Sequence, residues 1–230
     1  MKKISKKFKA ALEKVESGKL YSFAEAAKLV KETNIVKFDA SVDIAFNLNV
    51  NPTLADQLIR GTITLPHGNG KTKKVLVVTN SKLEDAKNSG ADYYGGSEML
   101  DKITNENWFD FDVLVATPDV MGDLGKMGRV LGPKGLMPNP RNGTVTMDVK
   151  TAVDEIKKGK LTYRVDRDGN LCLGIGRVSF DEEKLIANMA AMTEQIVKSR
   201  PSTVKGTFIL SCTISSTMGP AIPVTFAGRN

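Results

Sequence analysis

From Phe38 to Val50 the chain reads FDASVDIAFNLNV, and its side chains alternate in character. Phe38, Ala40, Val42, Ile44, Phe46, Leu48 and Val50 share one face, while Asp39, Ser41, Asp43, Asn47 and Asn49 fall on the other. A period of two is the period of a β-strand. A strand apolar on one side only belongs to an antiparallel sheet that is covered on one face. The pattern therefore demands partner strands and a layer of helices to bury that face.

Both are present in the flanking sequence. A helix is expected from Ser22, whose hydroxyl caps while Glu25 reaches back three residues later. LTYRVDRDGNLCLGIG reads as a hairpin turning at Asp168-Gly169, FDEEKLIANMAAMTEQIVKS as a helix that must stop before Pro201, and TFILSCTISS as the final strand. Between the glycine-bearing junctions LPHGNGK (Leu65 to Lys71) and KKGK (Lys157 to Lys160) the character changes. There KKVLVVTN, ADYYGG and FDVLVAT read as strands, and KLEDAKNSG, SEMLDKIT and VKTAVDEIKKG as helices between or after them. Short strands alternating with helices imply a small parallel or mixed sheet with helices packed against it. The fold class expected is thus an α+β domain made of both termini, residues 1–67 and 160–230, into which an α/β domain of residues 68–159 is inserted.

Composition narrows the function. The longest apolar runs are strand-sized, such as VLVV from Val75 to Val78, so no membrane span is expected. The basic opening MKKISKKFKAALEKVESGK has no apolar stretch behind it and does not read as a secretory signal; a cytoplasmic protein is expected. Cys172 and Cys212 read as small buried thiols of strands. With one histidine, His67, in a linker-like turn, neither a zinc site nor a Ser-His-Asp arrangement can be assembled, and no metal, cofactor or catalytic residue is expected. Residues 68–159 hold 13 basic and 13 acidic side chains, while the remainder holds 20 and 13, the whole of the net +7. That field suits a polyanion, although charge alone fits a merely soluble surface as well.

The run MGDLGKMGRVLGPKGLMPNPRNG, Met121 to Gly143, has six glycines and three prolines. As a phosphate-binding loop it fails. In GRVLGPKG proline precedes Lys134 and glycine follows it, so an amide donor and the metal-binding hydroxyl are both missing. GDLGKMG lacks the opening Gly-x-Gly of a dinucleotide fingerprint. A long ordered loop is expected instead, whose Lys126, Arg129, Lys134 and Arg141 could each meet a phosphate or stay solvated.

TPDVMGDLGKMGRVLGPKGLMPNPRNGTVT resembles the hallmark segment of the ribosomal protein L-one family, the mobile stalk proteins of the large ribosomal subunit, in their bacterial or organellar form. KFDASVDIAFNLNVNP, IRGTITLPHGNGK, GADYYGG, FDVLVATPDVMG, KGTF and STMGP resemble family segments in the same order along nearly the whole chain. The resemblance implies a discontinuous α+β domain carrying an inserted three-layer Rossmann-like α/β domain. It implies a non-enzymatic protein of the cytoplasmic large subunit, monomeric when free. Its partners would be the stalk of large-subunit rRNA, exit-site tRNA whose release it assists, and its own operon mRNA, whose translation it represses.

The resemblance places RNA binding at Lys37, Phe38 and Ser41, at Arg164, Asp166 and Arg167, and at Ser211, Thr213, Thr217, Met218 and Gly219. Chemistry supports the last group. In TFILSCTISSTMG the apolar Phe208, Leu210, Cys212 and Ile214 share a face, which leaves Ser211, Thr213 and Ser215 in a row. Short hydroxyls can exchange hydrogen bonds with ribose 2′-hydroxyls in the shallow minor groove of RNA. Such a row is also an ordinary solvent face of a sheet. Two other readings stay open on the residues alone: a nucleotide-binding enzyme built on the insert, and a basic RNA chaperone with little sequence preference.

Overall fold

The structure, a computed structural model, describes residues 5–226. Residues 1–4 and 227–230, at the start of the basic opening stretch and at the end of the expected terminal domain, lie outside the described residues. The chain forms two compact units, one of residues up to Gly70 together with those from Leu161, the other of Lys71–Lys160.

The first unit begins with helix α1 (Lys6–Leu12), capped by Ser5, and α2 (Phe23–Glu32). The capping box of α2 forms as its spacing predicts: the Ser22 hydroxyl accepts from the Glu25 amide at 3.3 Å, and Glu25 accepts from the Ser22 amide at 2.9 Å. Strand β1 (Ser41–Leu48) follows, with Val42, Ile44, Phe46 and Leu48 buried and the intervening residues half-buried. Strand β2 (Arg60–Thr64) then leads toward the second unit.

That unit is a three-stranded parallel sheet with helices on both faces. Along the chain come β3 (Val75–Val78), α3 (Leu83–Asn88), β4 (Tyr93–Gly95), α4 (Ser97–Glu106), β5 (Val113–Ala116), α5 (Met121–Lys126), α6 (Gly128–Leu131) and α7 (Val149–Lys157). The strand order is β4-β3-β5. All four residues of β3 are buried, because alternate side chains enter different layers: Val75 and Val77 pack with α3 and α7, Leu76 and Val78 with α4, α5 and α6. At the edge where the strands begin, Asp92 accepts from the Val75 amide at 2.9 Å and Asp112 from the Lys74 amide at the same distance. Asp110 pairs with Lys74 and accepts from the Tyr93 hydroxyl.

The glycine-rich run is not the long loop expected. Its first half forms α5 and α6, because Leu124 and Leu131 are fully buried against Leu76 and Leu114. Burial of two leucines offsets the roughly 1 kcal/mol that each glycine costs a helix.

The chain returns to the first unit through β6 (Lys160–Arg164), β7 (Asn170–Arg177), α8 (Glu182–Lys198), β8 (Ile209–Ser216) and β9 (Ile222–Pro223), the last a short strand that the sequence did not suggest. The four-stranded sheet has the order β7-β1-β8-β9, with antiparallel pairing throughout. Helices α2 and α8 pack against it, α8 through Leu185, Met189, Met192 and Ile196, and its last helical residue, Lys198, stands three before Pro201. The hairpin expected between β6 and β7 is corrected. The turn exists, with the Asp166 amide donating to Asn170 O at 2.8 Å, but β6 pairs with β2 in a separate two-stranded sheet. Gly169 adopts φ 79, and a Cβ there would meet Leu48 O at 2.8 Å. The turn is thus pressed against the end of β1, and its two flanking strands diverge into different sheets.

The edge carboxylates of the second unit give its acid response a sign. The Val75 amide holds the Asp92 carboxyl below its ordinary value of 3.8, and Lys74 with Tyr93 does the same for Asp110. A depressed folded value means stability that is fully present above 3.8 and lost as pH falls through the lower folded value. Urea unfolding followed by the fluorescence of Trp108, the single tryptophan, is expected to show falling stability below about pH 4, and Asp92→Asn to flatten that fall.

Candidate nucleic-acid interface

Because α2 and α8 cover one face of the four-stranded sheet, the other face is built from the polar register of its strands. The pairing sets cross-strand neighbours: Ser215, Asp43 and Gly174 in one row, Thr213, Ala45 and Cys172 in the next, Ser211, Asn47 and Asn170 in the third. These are short side chains, so the face has low relief. The hydroxyls of Ser211, Thr213 and Ser215 have no hydrogen-bond partner among the described residues, whereas the Asn47 amide donates to Asn170 at 2.7 Å. Asp43 and Asn47 were legible as the polar register of β1; the contribution of β7 was not, since its glycines and Cys172 carry little pattern.

Two expectations about this face are corrected. Leu210 does not join the core but is 47% exposed, while Ile209 is buried. Asn47 pairs with Ser211 and Leu48 with Ile209, so a β-bulge inserts Leu210 and reverses the parity behind it. Cys172 is exposed on the open face rather than buried in the core; partial desolvation, then the nearby Asp166 and Asp43, raise its pKa. Cys212 is buried, and desolvation pushes it up to about 12.

The residues implied as RNA-binding fall at the two ends of this face and along it. At one end the Ser41 amide donates to the Thr217 hydroxyl at 3.1 Å, and the Thr217 amide donates to Ser41 O at 3.0 Å. Thr217 therefore spends its hydroxyl on the sheet. Beyond it Met218 stands 71% exposed at φ 66, a left-handed conformation that disfavours branched or bulky side chains. The Gly219 amide closes the turn on Ser216 O at 2.8 Å. A Cβ on Gly219 would overlap the Ser216 hydroxyl, which is itself buried without a hydrogen-bond partner among the described residues. Lys37 and Phe38 precede Ser41 on an exposed segment; Phe38 is 58% exposed although its register matches the core, because β1 begins only at Ser41.

At the other end are Arg164, Asp166 and Arg167. Both arginines are exposed and line an open groove of about 720 Å³ with Pro52, Thr53, Leu58 and Val165. Asp166 is a turn residue whose carboxylate accepts from the amides of Asp168 and Asn170 at 3.0 and 2.7 Å. The structure thus brings Ser41, Thr217, Met218 and Gly219 together, and Ser211 and Thr213 onto one face. Arg164, Asp166 and Arg167 sit beyond its far end, where β7 starts opposite Asn47.

In the second unit Lys126 pairs with Asp123 at 2.8 Å, and Lys134 lies 3.5 Å from the centre of the Phe109 ring, a cation–π contact. Arg129 and Arg141 are exposed and carry no ion pair among the described residues. His67 is exposed in its turn, with its amide donating to the buried Asn188 at 3.2 Å. Among the described residues no group of three or more His, Cys, Asp or Glu side chains could hold a metal ion, and no helix is long and apolar enough to cross a membrane.

Residues 29–220 match the family described as the ribosomal protein L1p/L10e family. The chain is 56% identical to the large ribosomal subunit protein uL1 of Mycoplasma capricolum over 226 residues, which span 98% of this chain and all of that protein. It is 55% identical to the protein of the same name from Streptococcus gordonii over 97% of this chain and 98% of that protein. The corresponding figures for that of Thermobifida fusca are 52%, 96% and 94%. The chain belongs to the ribosomal protein L1 family, which is not a family of enzymes.

The Ser216–Gly219 turn can be tested by itself. Gly219→Ala is expected to destabilise the protein by roughly 1–3 kcal/mol through overpacking against Ser216. Ser216→Ala, which removes a buried unpaired hydroxyl, should be neutral or stabilise by up to about 1 kcal/mol. The double variant should recover most of the loss in urea unfolding, because the closest contact needs the Ser216 hydroxyl and only the 3.3 Å approach to Ser216 O remains.

Proposed function

We propose that the chain is a structural constituent of the large ribosomal subunit that binds the stalk of large-subunit rRNA. In this reading it also assists release of deacylated tRNA from the exit site and represses translation of its own operon mRNA. The relatives' names support the subunit assignment. The unit made of both termini is the RNA-binding domain, and the Lys71–Lys160 unit is the domain inserted into it. The observation that carries RNA binding is the open sheet face: three hydroxyls without a hydrogen-bond partner among the described residues, in rows of short side chains, in the part of the sequence that holds the charge excess. Of 33 basic and 26 acidic residues, 14 and 13 lie in residues 71–160, leaving 19 and 13 for the rest, or six of the seven net charges.

The physical division of labour follows. Cations such as Lys37, Arg164 and Arg167 attract phosphates at the ends of the face and give salt-dependent affinity without sequence information. Ser41, Ser211 and Thr213 meet ribose hydroxyls at close range, and Phe38 and Met218 offer apolar contact to a sugar or base. Gly219 allows the backbone to approach. Lys126, Arg129, Lys134 and Arg141 of the second unit are secondary contacts. Of these Lys134 is the poorest, being engaged with Phe109.

Thr213→Val keeps shape and removes one unpartnered hydroxyl. It is expected to weaken binding to a stalk RNA fragment by about 1 kcal/mol, roughly fivefold, without lowering the unfolding midpoint. Lys37→Ala is expected instead to weaken binding to stalk and unrelated RNAs alike and to lower the slope of log K against log salt by about one. Equal affinity of the wild type for stalk and unrelated RNA in a filter-binding titration would reduce the protein to a non-specific basic binder.

A further inference from the structure

We propose that Asp39 is a positioning residue for RNA recognition: its carboxylate ties the segment from Lys37 to Ser41 to Ser179 and so presents Phe38 and Lys37 at the end of the open sheet face. This rests on reading that face as the RNA interface.

The segment before β1 has no regular structure of its own, yet it is tethered on two sides. On one, the Asp39 carboxylate accepts from the Ser179 amide at 3.0 Å and from the Ser179 hydroxyl at 2.8 Å. Arg177 donates to Asp39 O at 3.0 Å, and the Val178 amide to Ala40 O at 2.9 Å. On the other side Ser41 exchanges hydrogen bonds with Thr217, whose neighbour is the exposed Met218. The result is that Phe38 is held out with 58% of its surface exposed, where it buries little apolar area against its own protein. A large ring fixed in solvent by its neighbours' hydrogen bonds is set up for a partner rather than for the core.

Charge sharpens the argument. A carboxylate beside a polyanion site is electrostatically unfavourable, so a plain surface acid here would weaken RNA binding. Asp39 gives both of its oxygens to Ser179, and its value lies in ordering the chain before the RNA arrives. An unordered segment must be ordered on binding, and that entropy is subtracted from affinity.

The two accounts predict opposite signs, which makes the test direct. In the full-length protein, Asp39→Ala removes the charge and the tether together. Asp39→Asn removes the charge but keeps an oxygen that can accept from the Ser179 amide. We expect Asp39→Ala to weaken binding to a stalk rRNA fragment by about 10- to 100-fold, the scale of re-ordering one or two residues on binding. Asp39→Asn should stay within about threefold of wild type. Ser179→Ala, which leaves every charge in place, should weaken binding in the same direction as Asp39→Ala. The salt slope should be unchanged in all three, because no cation is lost. Binding by Asp39→Ala as tight as wild type, or tighter, would overturn the proposal, and so would a loss of affinity matched by a fall in the unfolding midpoint. If the wild type itself fails to prefer stalk RNA over an unrelated RNA of equal length, the RNA reading falls and the role of Asp39 with it.

Discussion

The first unit depends on a sheet that is covered on one side only. Strand β1 pairs with β7 and β8 at once, and its Val42, Ile44, Phe46 and Leu48 form the middle of the core under α2 and α8. Period-two geometry then places the alternate residues on the opposite face, where they are half-buried. The open face is a direct consequence of how the core is buried. A one-residue slip of β1 would exchange the two faces, so the same hydrophobic pattern that stabilises the unit also fixes which side chains lie on the uncovered face.

The two units show how the same elements give different surfaces. In the parallel sheet of Lys71–Lys160 both faces are packed by helices and β3 is buried along its length. Its charges are nearly balanced, and several are paired at the edge where the strands begin. In the antiparallel sheet the helices α2 and α8 pack on one face only, and the unit to which it belongs holds most of the net positive charge. Flat apposition to a folded RNA needs such a face, because long side chains would hold the backbones apart. The ends of the face add what its middle lacks: cations, an exposed phenyl ring and an exposed methionine.

Much of this was legible where local signals agree. The Ser22–Glu25 capping box, the alternation of β1 and the buried run of β3 each follow from periodicity or from a residue type with one stereochemical role. The misreadings share a cause. Leu210 followed the alternation on paper, but the bulge opposite Asn47 and Leu48 is a property of the pair of strands. The Asp166–Asn170 turn was visible, yet the divergence of β6 from β7 depends on β2 and β1 competing for them as partners. Helices α5 and α6 were hidden by glycines whose propensity cost is outweighed by burying Leu124 and Leu131.

The sequence by itself determined the element types, the apolar face of β1, the change of patterning near Leu65 and Lys160, the placement of net charge and, through long motifs, the family. Only the tertiary structure decided which hydroxyls stay unpartnered, that Thr217 is bound to Ser41 while Thr213 is not, that Cys172 faces outward, and that Asp39 is tied to Ser179. Periodicity reports the local preference of one segment. A hydrogen bond between residues 140 apart in sequence depends on pairings among several segments, and these are set when the whole sheet closes on its core.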